Sequence, residues 1–300
     1  MSVIINKLKQ VIKNKMSYVN NNFLLDRFID KTYREVLGRK VDPHGLSHFK
    51  REIRSGMTQP SELRQILVSS GEFIENQFST MRTSIHESRR RFVAALPKAE
   101  TILDLGGAAQ GLEVGALVAM KYPYKFNKLT IVDLPINERH EIYQNNDENV
   151  KIVQSPLGIV EYKYQSMVDL SNFGDESFDL VYSGQTIEHI TEEEGDKMLH
   201  EVMRVLKSEG YFCVDTPNGA ATRLQQETFI DPDHKIEYTH EQLSQKLLQN
   251  GFDIRLAQGM NYLGKSFENN SFNIAELCKN VGLYNDLGKC YLISYICQKN

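Results

Sequence analysis

Three short apolar runs in this 300-residue chain end in side chains fit for chemistry, and a fourth reactive string precedes an amphipathic stretch. The first, Leu103-Asp104-Leu105-Gly106-Gly107-Ala108-Ala109-Gln110-Gly111, sets an acid before small residues. Small residues let a ligand approach the backbone, and a helix opening there supplies free N–H groups. The second run ends at Asp133, 22 residues after Gly111, where a carboxylate would accept the two hydroxyls of a ribose. The third ends Ser183-Gly184-Gln185-Thr186-Ile187-Glu188-His189. The fourth string runs from Phe229 to His240 and carries Asp231, Asp233, His234 and Tyr238. His189 and His234 are candidate general bases for a hydroxyl that must lose its proton, with turn capping and loop packing as their structural alternatives. Gln185, Glu188 and Tyr238 are candidates to orient the substrate. Asp231, Asp233 and Glu188 offer hard oxygen ligands of the kind magnesium takes, but loop acids are usually solvated and no metal is expected.

The glycine pattern Gly106-x-Ala108-x-x-Gly111 with a later acid also approximates a dinucleotide-binding fingerprint, so a nicotinamide-dependent oxidoreductase is a rival reading. The acid before the glycines discriminates. Asp104 would repel a pyrophosphate, whereas it would attract a cofactor carrying an ammonium and a sulfonium, which points to S-adenosylmethionine.

Positioning these residues requires strands that end beside one another. Apolar runs at Thr101–Leu105, Leu129–Val132, Tyr162–Gln165, Phe178–Tyr182 and Tyr211–Val214 alternate with amphipathic stretches, which predicts a parallel sheet covered by helices. Ligands of such sheets sit at the carboxyl ends of the strands, where the strings above fall. Phe252–Ala257 and Cys290–Cys297 have no clear crossover between them and are expected to form an antiparallel edge pair. Thr239 is a credible N-cap for a helix over Glu241–Leu248.

The first hundred residues read differently. Phe23 to Gly38 has helical spacing and a glycine stop; Asp42-Pro43 opens a second helix that Gly56 ends, and a third follows Pro60. A short helix opens at Ser69-Ser70-Gly71-Glu72-Phe73, and residues 81–98, with Arg89-Arg90-Arg91, are expected to form a connecting helix closed by Pro97. Ile4, Ile5, Leu8, Val11, Ile12 and Met16 form an apolar stripe with lysines beside it, suited to packing on protein or to lying on an anionic membrane surface through residues 1–18.

These strings resemble two known families. Tyr33-Arg34-Glu35-Val36-Leu37-Gly38-Arg39, Asp42-Pro43-His44-Gly45-Leu46, Gly56-Met57-Thr58 and Ser69-Ser70-Gly71-Glu72-Phe73 resemble a small helical domain of unknown function that recurs in bacterial surface and polysaccharide-related proteins. The likeness implies context, a docking or substrate-presenting module, and no chemistry. Ile102–Gly111, Leu129–Asp133, Ser177–Ser183 with Ile187-Glu188-His189, and Arg204–Gly210 through Thr216-Pro217-Asn218 resemble the class I S-adenosylmethionine-dependent methyltransferases, in particular bacterial members acting on glycans and lipids.

Carried over by position, that second resemblance places the cofactor against Asp104, Gly106, Gly107, Ala108, Asp133, Leu134, Ser166, Met167 and Ser183. Met167 stands where the family commonly has an acid that holds the adenine, with Asp169 nearby to compensate, and Ala108 and Gln110 stand where it commonly has glycine. The expected fold is α/β: a Rossmann-like seven-stranded methyltransferase sheet with an antiparallel C-terminal edge, preceded by a small all-α domain. The expected division is a helical module over 1–80, a linker helix over 81–98 and a methyltransferase domain over 99–300.

Composition bounds the remaining readings. With 41% hydrophobic and 25% charged residues the chain can bury a large core, which excludes a disordered or fibrous protein. Residues 1–100 hold 18 Lys+Arg against 10 Asp+Glu, while residues 101–300 hold 17 against 29, so the portion expected to be catalytic is acidic and nucleic acid is not an expected substrate. No apolar run approaches the length of a bilayer crossing, no leader is apparent, and Cys213, Cys278, Cys290 and Cys297 lack metal-ligand or redox-pair spacing. A cytoplasmic enzyme with reduced core thiols is expected, with peripheral membrane contact through residues 1–18 and a homodimer as open options. Its anticipated reaction is O-methylation of a sugar in a surface polysaccharide or glycolipid precursor. A non-catalytic protein that keeps the fold and binds the cofactor is the other rival.

Overall fold

The structure is a computed structural model that describes residues 22–109, 111–135, 138 and 152–299; the amphipathic stretch at 2–16 and Gln110 lie outside the described residues. The chain divides into two compact units, Met1–Thr80 and Met81–Asn300.

In the first unit, helix α1 covers 22–37 and ends at Gly38, whose φ of 70° is left-handed. Helix α2 (Pro43–Ser55) starts where Asp42 accepts from the Gly45 amide at 2.8 Å, and it stops at Gly56 in the left-handed region. A 3-10 turn at Pro60–Glu62 leads into α3 (Leu63–Val68). Ile29, Tyr33, Leu37, Phe49, Leu63 and Leu67 form the buried core. Arg39 ties the ends of the motif together, donating to both carboxylate oxygens of Glu72 (2.5 and 2.8 Å) and to Asp42 at 3.1 Å.

Helix α4 (Gly71–Ala94) is one helix of 24 residues where a short helix and a separate connecting helix were expected. Residues 74–80 contain neither glycine nor proline, so nothing interrupts the ladder.

Among the described residues the second unit has nine strands: β1 (Thr101–Leu105), β2 (Lys128–Asp133), β3 (Ile152–Gln154), β4 (Ile159–Tyr164), β5 (Phe178–Gly184), β6 (Leu206–Pro217), β7 (Phe252–Tyr262), β8 (Leu283–Tyr284) and β9 (Cys290–Lys299). Their order is β3-β4-β2-β1-β5-β6-β9-β7-β8. Strands β4, β2, β1, β5 and β6 run parallel, and β9 joins antiparallel to both β6 and β7. The expected seven strands therefore carry two more, one at each edge. Strand β3 returns through a turn in which the Gly158 carbonyl accepts from the Ser155 amide at 3.0 Å, and β8 spans two residues. Elements of two or three residues are too short to leave a periodic signature.

Alternate residues face opposite sides of the sheet, and the two sides have separate cores. Ile102, Leu180 and Cys213 face one that includes Phe92 of α4, Leu117 of α5 (Gly115–Ala119) and Tyr291. Leu103, Leu105, Val181 and Val214 face the other, with Met198 and Val202 of α6 (Glu192–Val205) and Leu243 and Leu247 of α8 (His240–Gln249). Helix α7 (Gly219–Gln225) follows β6, and α9 (Gly264–Glu268) and α10 (Ile274–Lys279) lie between β7 and β8 in sequence. Cys213, Cys290 and Cys297 are buried free thiols. No helix among the described residues is long and apolar enough to cross a membrane.

Because β1 lies between β2 and β5, the chain order reverses there, and a crevice opens at the carboxyl ends of the two strands.

Candidate active site

At the end of β1, Gly106 has a φ of 74°, and a Cβ on it would stand 2.3 Å from the Thr186 methyl. A Cβ on Gly107 would stand 2.0 Å from Asp104 Oδ2. Both glycines are thus required, the first by backbone conformation and a close neighbour, the second by the acid itself. Asp104 is 1% exposed, and its Oδ2 has no hydrogen-bond partner among the described residues. Burial pushes its carboxyl up to about 7; Arg89 opposes the shift, while Asp133 and Asp215 reinforce it. A buried acceptor without a partner, beside backbone bared by two glycines, fits a ligand that brings a cation or a donor.

Asp133 closes the other side of this turn. Its Oδ1 accepts from the Leu134 amide at 2.8 Å and its Oδ2 from the Ala108 amide at 3.3 Å, so three of the residues expected at the cofactor meet at one carboxylate. After β4, the Gln165 amide donates to the Asp133 carbonyl at 2.9 Å, which carries Ser166 and Met167 toward the same strand end. Ser166 Oγ accepts from Val168 N at 3.2 Å, and Met167 packs half-buried on the core. Asp169 is exposed and accepts from the Ser171 amide at 3.0 Å, so it shapes its own turn. Ser183 is completely buried, its hydroxyl 2.7 Å from that of Thr186, and it supports the Gly106 contact from beneath.

A second polar centre lies at the ends of β5 and β6. Asp215, completely buried, accepts from Arg89 Nε at 2.7 Å, from the Tyr182 hydroxyl at 2.5 Å and from Gln185 Nε2 at 2.9 Å. Gln185 adopts a left-handed φ of 60°, held by its amide donating to the Asp215 carbonyl at 2.8 Å. Its side chain, expected to orient the acceptor, is instead bound to Asp215. The part played by Asp215 and Arg89 is absent from the sequence reading. They stand 126 residues apart, and no spacing rule links a strand-end acid to a helix arginine.

The third centre gathers the histidines. A 3-10 turn at Ile187–His189 follows β5 and presents Glu188 and His189. The Glu188 carbonyl accepts from the amides of Lys235 (2.8 Å) and Ile236 (3.2 Å), and this holds the loop carrying His234 against the turn. The rings of His189 and His234 meet edge to face with centroids 4.9 Å apart. Glu188 is 1% exposed and accepts from the Thr216 hydroxyl at 2.9 Å; burial pushes its carboxyl up to about 7.

His234 Nδ1 lies 2.8 Å from Glu237 Oε1, and Glu237 is further held by Thr222, by the Ile230 amide (2.9 Å) and by Arg223 (3.1 Å). Burial disfavours charge on His234, yet the bond to Glu237 and the charge of Glu188 outweigh it and raise its pKa above the ordinary histidine value. His189 moves the other way, lowered by burial and by the neighbouring His234. The two rings therefore differ in basicity.

Tyr238 does not join them. It is 1% exposed within the hydrophobic core, its hydroxyl without a partner among the described residues and directed at Gly195 of α6, because the capped start of α8 turns the residue inward. Asp231 accepts from the Asp233 amide at 2.9 Å and so closes a loop turn.

Residues 106–214 match the family model of the methyltransferase domain. Residues 15–77 match that of a domain of unknown function, DUF4214. A solved S-adenosylmethionine-dependent methyltransferase from Archaeoglobus fulgidus is similar at 16% identity and a TM-score of 0.50, covering 73% of this chain and 94% of that one. A Thermotoga maritima protein described as a possible histamine N-methyltransferase is similar at 16% identity and a TM-score of 0.49, covering 76% of this chain and 95% of that one. No curated protein matches the chain. The domain match supports an S-adenosylmethionine-dependent methyltransferase with S-adenosylmethionine as its cofactor, on an α/β methyltransferase fold. The buried Asp104 with its open Oδ2, the two glycines and Asp133 suit that cofactor.

Proposed function

We propose that this protein O-methylates a sugar of a bacterial surface polysaccharide or glycolipid precursor. The observation that carries methyl transfer to a hydroxyl is the meeting of His189 and His234 at the end of β5 and β6, in the same unit as the glycine turn after β1. S-adenosylmethionine supplies an electrophilic methyl group on a sulfonium. Asp104, Gly106, Gly107 and Ala108 would hold its amino-acid part, Asp133 and Leu134 its ribose, and Ser166 and Met167 its adenine. Alignment and exclusion of water supply much of the acceleration in such a displacement. A sugar hydroxyl has a high pKa, so the histidine centre is needed to take up or stabilise the loss of its proton.

The match of residues 15–77 to that domain supports the glycan reading through the company such domains keep, and its role would be docking or presenting the acceptor. The test is incubation with radiolabelled methyl donor and separate pools of nucleotide sugars and glycolipid extracts. Label should appear in a sugar, and His189→Ala and His234→Ala should each slow transfer by about 100-fold while leaving S-adenosylhomocysteine affinity intact. Turnover unaffected in both variants would remove the histidines from the reaction.

A further inference from the structure

We infer that Glu188, His189 and His234 form a binding site for a divalent first-row transition-metal ion. Their ligand atoms all lie within 4.8 Å of one another, and two of the three residues are almost fully buried. No metal was expected from the sequence: Glu188 was considered there only with Asp231 and Asp233 as an all-oxygen set, and the two histidines, 45 residues apart, were read as bases.

What distinguishes this cluster from a chance meeting is that each member is oriented from outside. His234 Nδ1 is committed to Glu237, which leaves Nε2 for a ligand. The ring of His189 is hydrogen-bonded to the backbone of Asp233. One oxygen of Glu188 is taken by Thr216. Metal-binding imidazoles characteristically give their other nitrogen to a carboxylate or carbonyl, and both rings do so here. Glu237 is itself held by Thr222, Arg223 and the Ile230 amide, so the support extends one layer further.

Ligands about 2.1 Å from an ion stand roughly 3 to 3.5 Å from one another, so side-chain rotation of about 1 Å closes the trio. Two imidazoles and one carboxylate favour manganese, iron, cobalt or zinc over magnesium or calcium, which prefer all-oxygen shells. Three protein ligands also leave positions open for an outside oxygen.

The chemistry of the site rests on the methyltransferase reading, whereas binding of the ion does not. An acceptor hydroxyl on the ion would lose its proton to solvent at a lower pH than it does free. Its oxygen would then form the bond to the methyl carbon as the carbon–sulfur bond breaks and that electron pair passes to sulfur. The two histidines would serve by holding the ion, which accounts for a pair of rings where a single base needs one.

The probe is Co2+ alone, titrated into the untagged, chelator-treated full chain and followed by calorimetry and by visible absorption. One ion per chain and a new absorption band with histidine character are expected. His234→Ala and His189→Gln should each weaken binding at least 100-fold, Glu237→Gln should weaken it 10- to 100-fold, and Asp231→Asn should leave it unchanged. S-adenosylhomocysteine titrated into the same preparations reports folding of each variant and tests the cofactor reading separately. Absence of saturable one-to-one Co2+ binding by the wild-type chain, or equal binding by His189→Gln, overturns the inference even if the cofactor analogue binds. Cobalt binding without the analogue upholds it and removes the methyltransferase reading.

Discussion

Asp104 is a buried carboxyl at the end of β1. Its carboxyl, raised by burial from the ordinary 3.8 to about 7, is still protonated at pH values where the unfolded chain has already released that proton. Its contribution to stability is therefore complete below pH 3.8 and is lost as pH rises through about 7. A cationic cofactor works in the opposite direction, since it prefers the carboxylate. S-adenosylmethionine affinity should accordingly rise by up to about tenfold between pH 6 and pH 8, and Asp104→Asn should flatten that slope. Calorimetry across this range checks both; a slope that survives Asp104→Asn would transfer the effect to another group. Asp133→Ala should weaken the cofactor at least tenfold, about 1.4 kcal/mol, as measured by the same titration. The placement of Asp104, the glycines and Asp133 at strand ends was legible in the sequence, because each sits within a few residues of the end of an apolar run. The side-chain placements of Gln185 and Tyr238 were not legible. The direction of a side chain in a loop is decided by partners remote in sequence, Asp215 for one and the α6 face for the other.

At the scale of elements, helix α4 is fastened to β6 by one buried pair. Arg89 lies mostly buried against Asp215, which is completely so, and Tyr182 and Gln185 complete the carboxylate's shell. Removing the arginine leaves a buried charge without its counter-ion, which generally costs more than the intact pair contributes. Arg89→Met should lower stability by about 3 kcal/mol, read from the midpoint of urea unfolding, and a loss under 1 kcal/mol would mean that Tyr182 and Gln185 suffice.

Some residues of the recognised strings hold elements rather than ligands. Asp179 accepts from the amides of Glu100 and Thr101 and from Lys207 Nζ, joining the starts of β1, β5 and β6, and Arg204 donates to the carbonyls of Leu170 and Phe173. Most of the strand centres were legible from apolar runs, and α8 from its cap, where Thr239 and Gln242 exchange hydrogen bonds with each other's amides. The continuity of α4 was not, because a helix without an internal break offers no signal of where one role ends and another begins.

For the molecule as a whole, the sequence announced a basic helical region followed by an acidic α/β region, and local pattern sufficed for that. Strand order is different: β5 pairs with β1 rather than with its predecessor β4, and only long-range packing decides it. That reversal creates the crevice in which an acid on β1, a turn after β2 and a histidine centre after β5 all open at one end of the sheet. The account depends on this crevice being shaped for a sulfonium cofactor rather than a dinucleotide. Parallel calorimetric titrations of the full chain with S-adenosylhomocysteine and with NAD test it most directly. Saturable binding of S-adenosylhomocysteine at one site per chain, with no heat from NAD, is the predicted result; saturation by NAD with no heat from S-adenosylhomocysteine would contradict it.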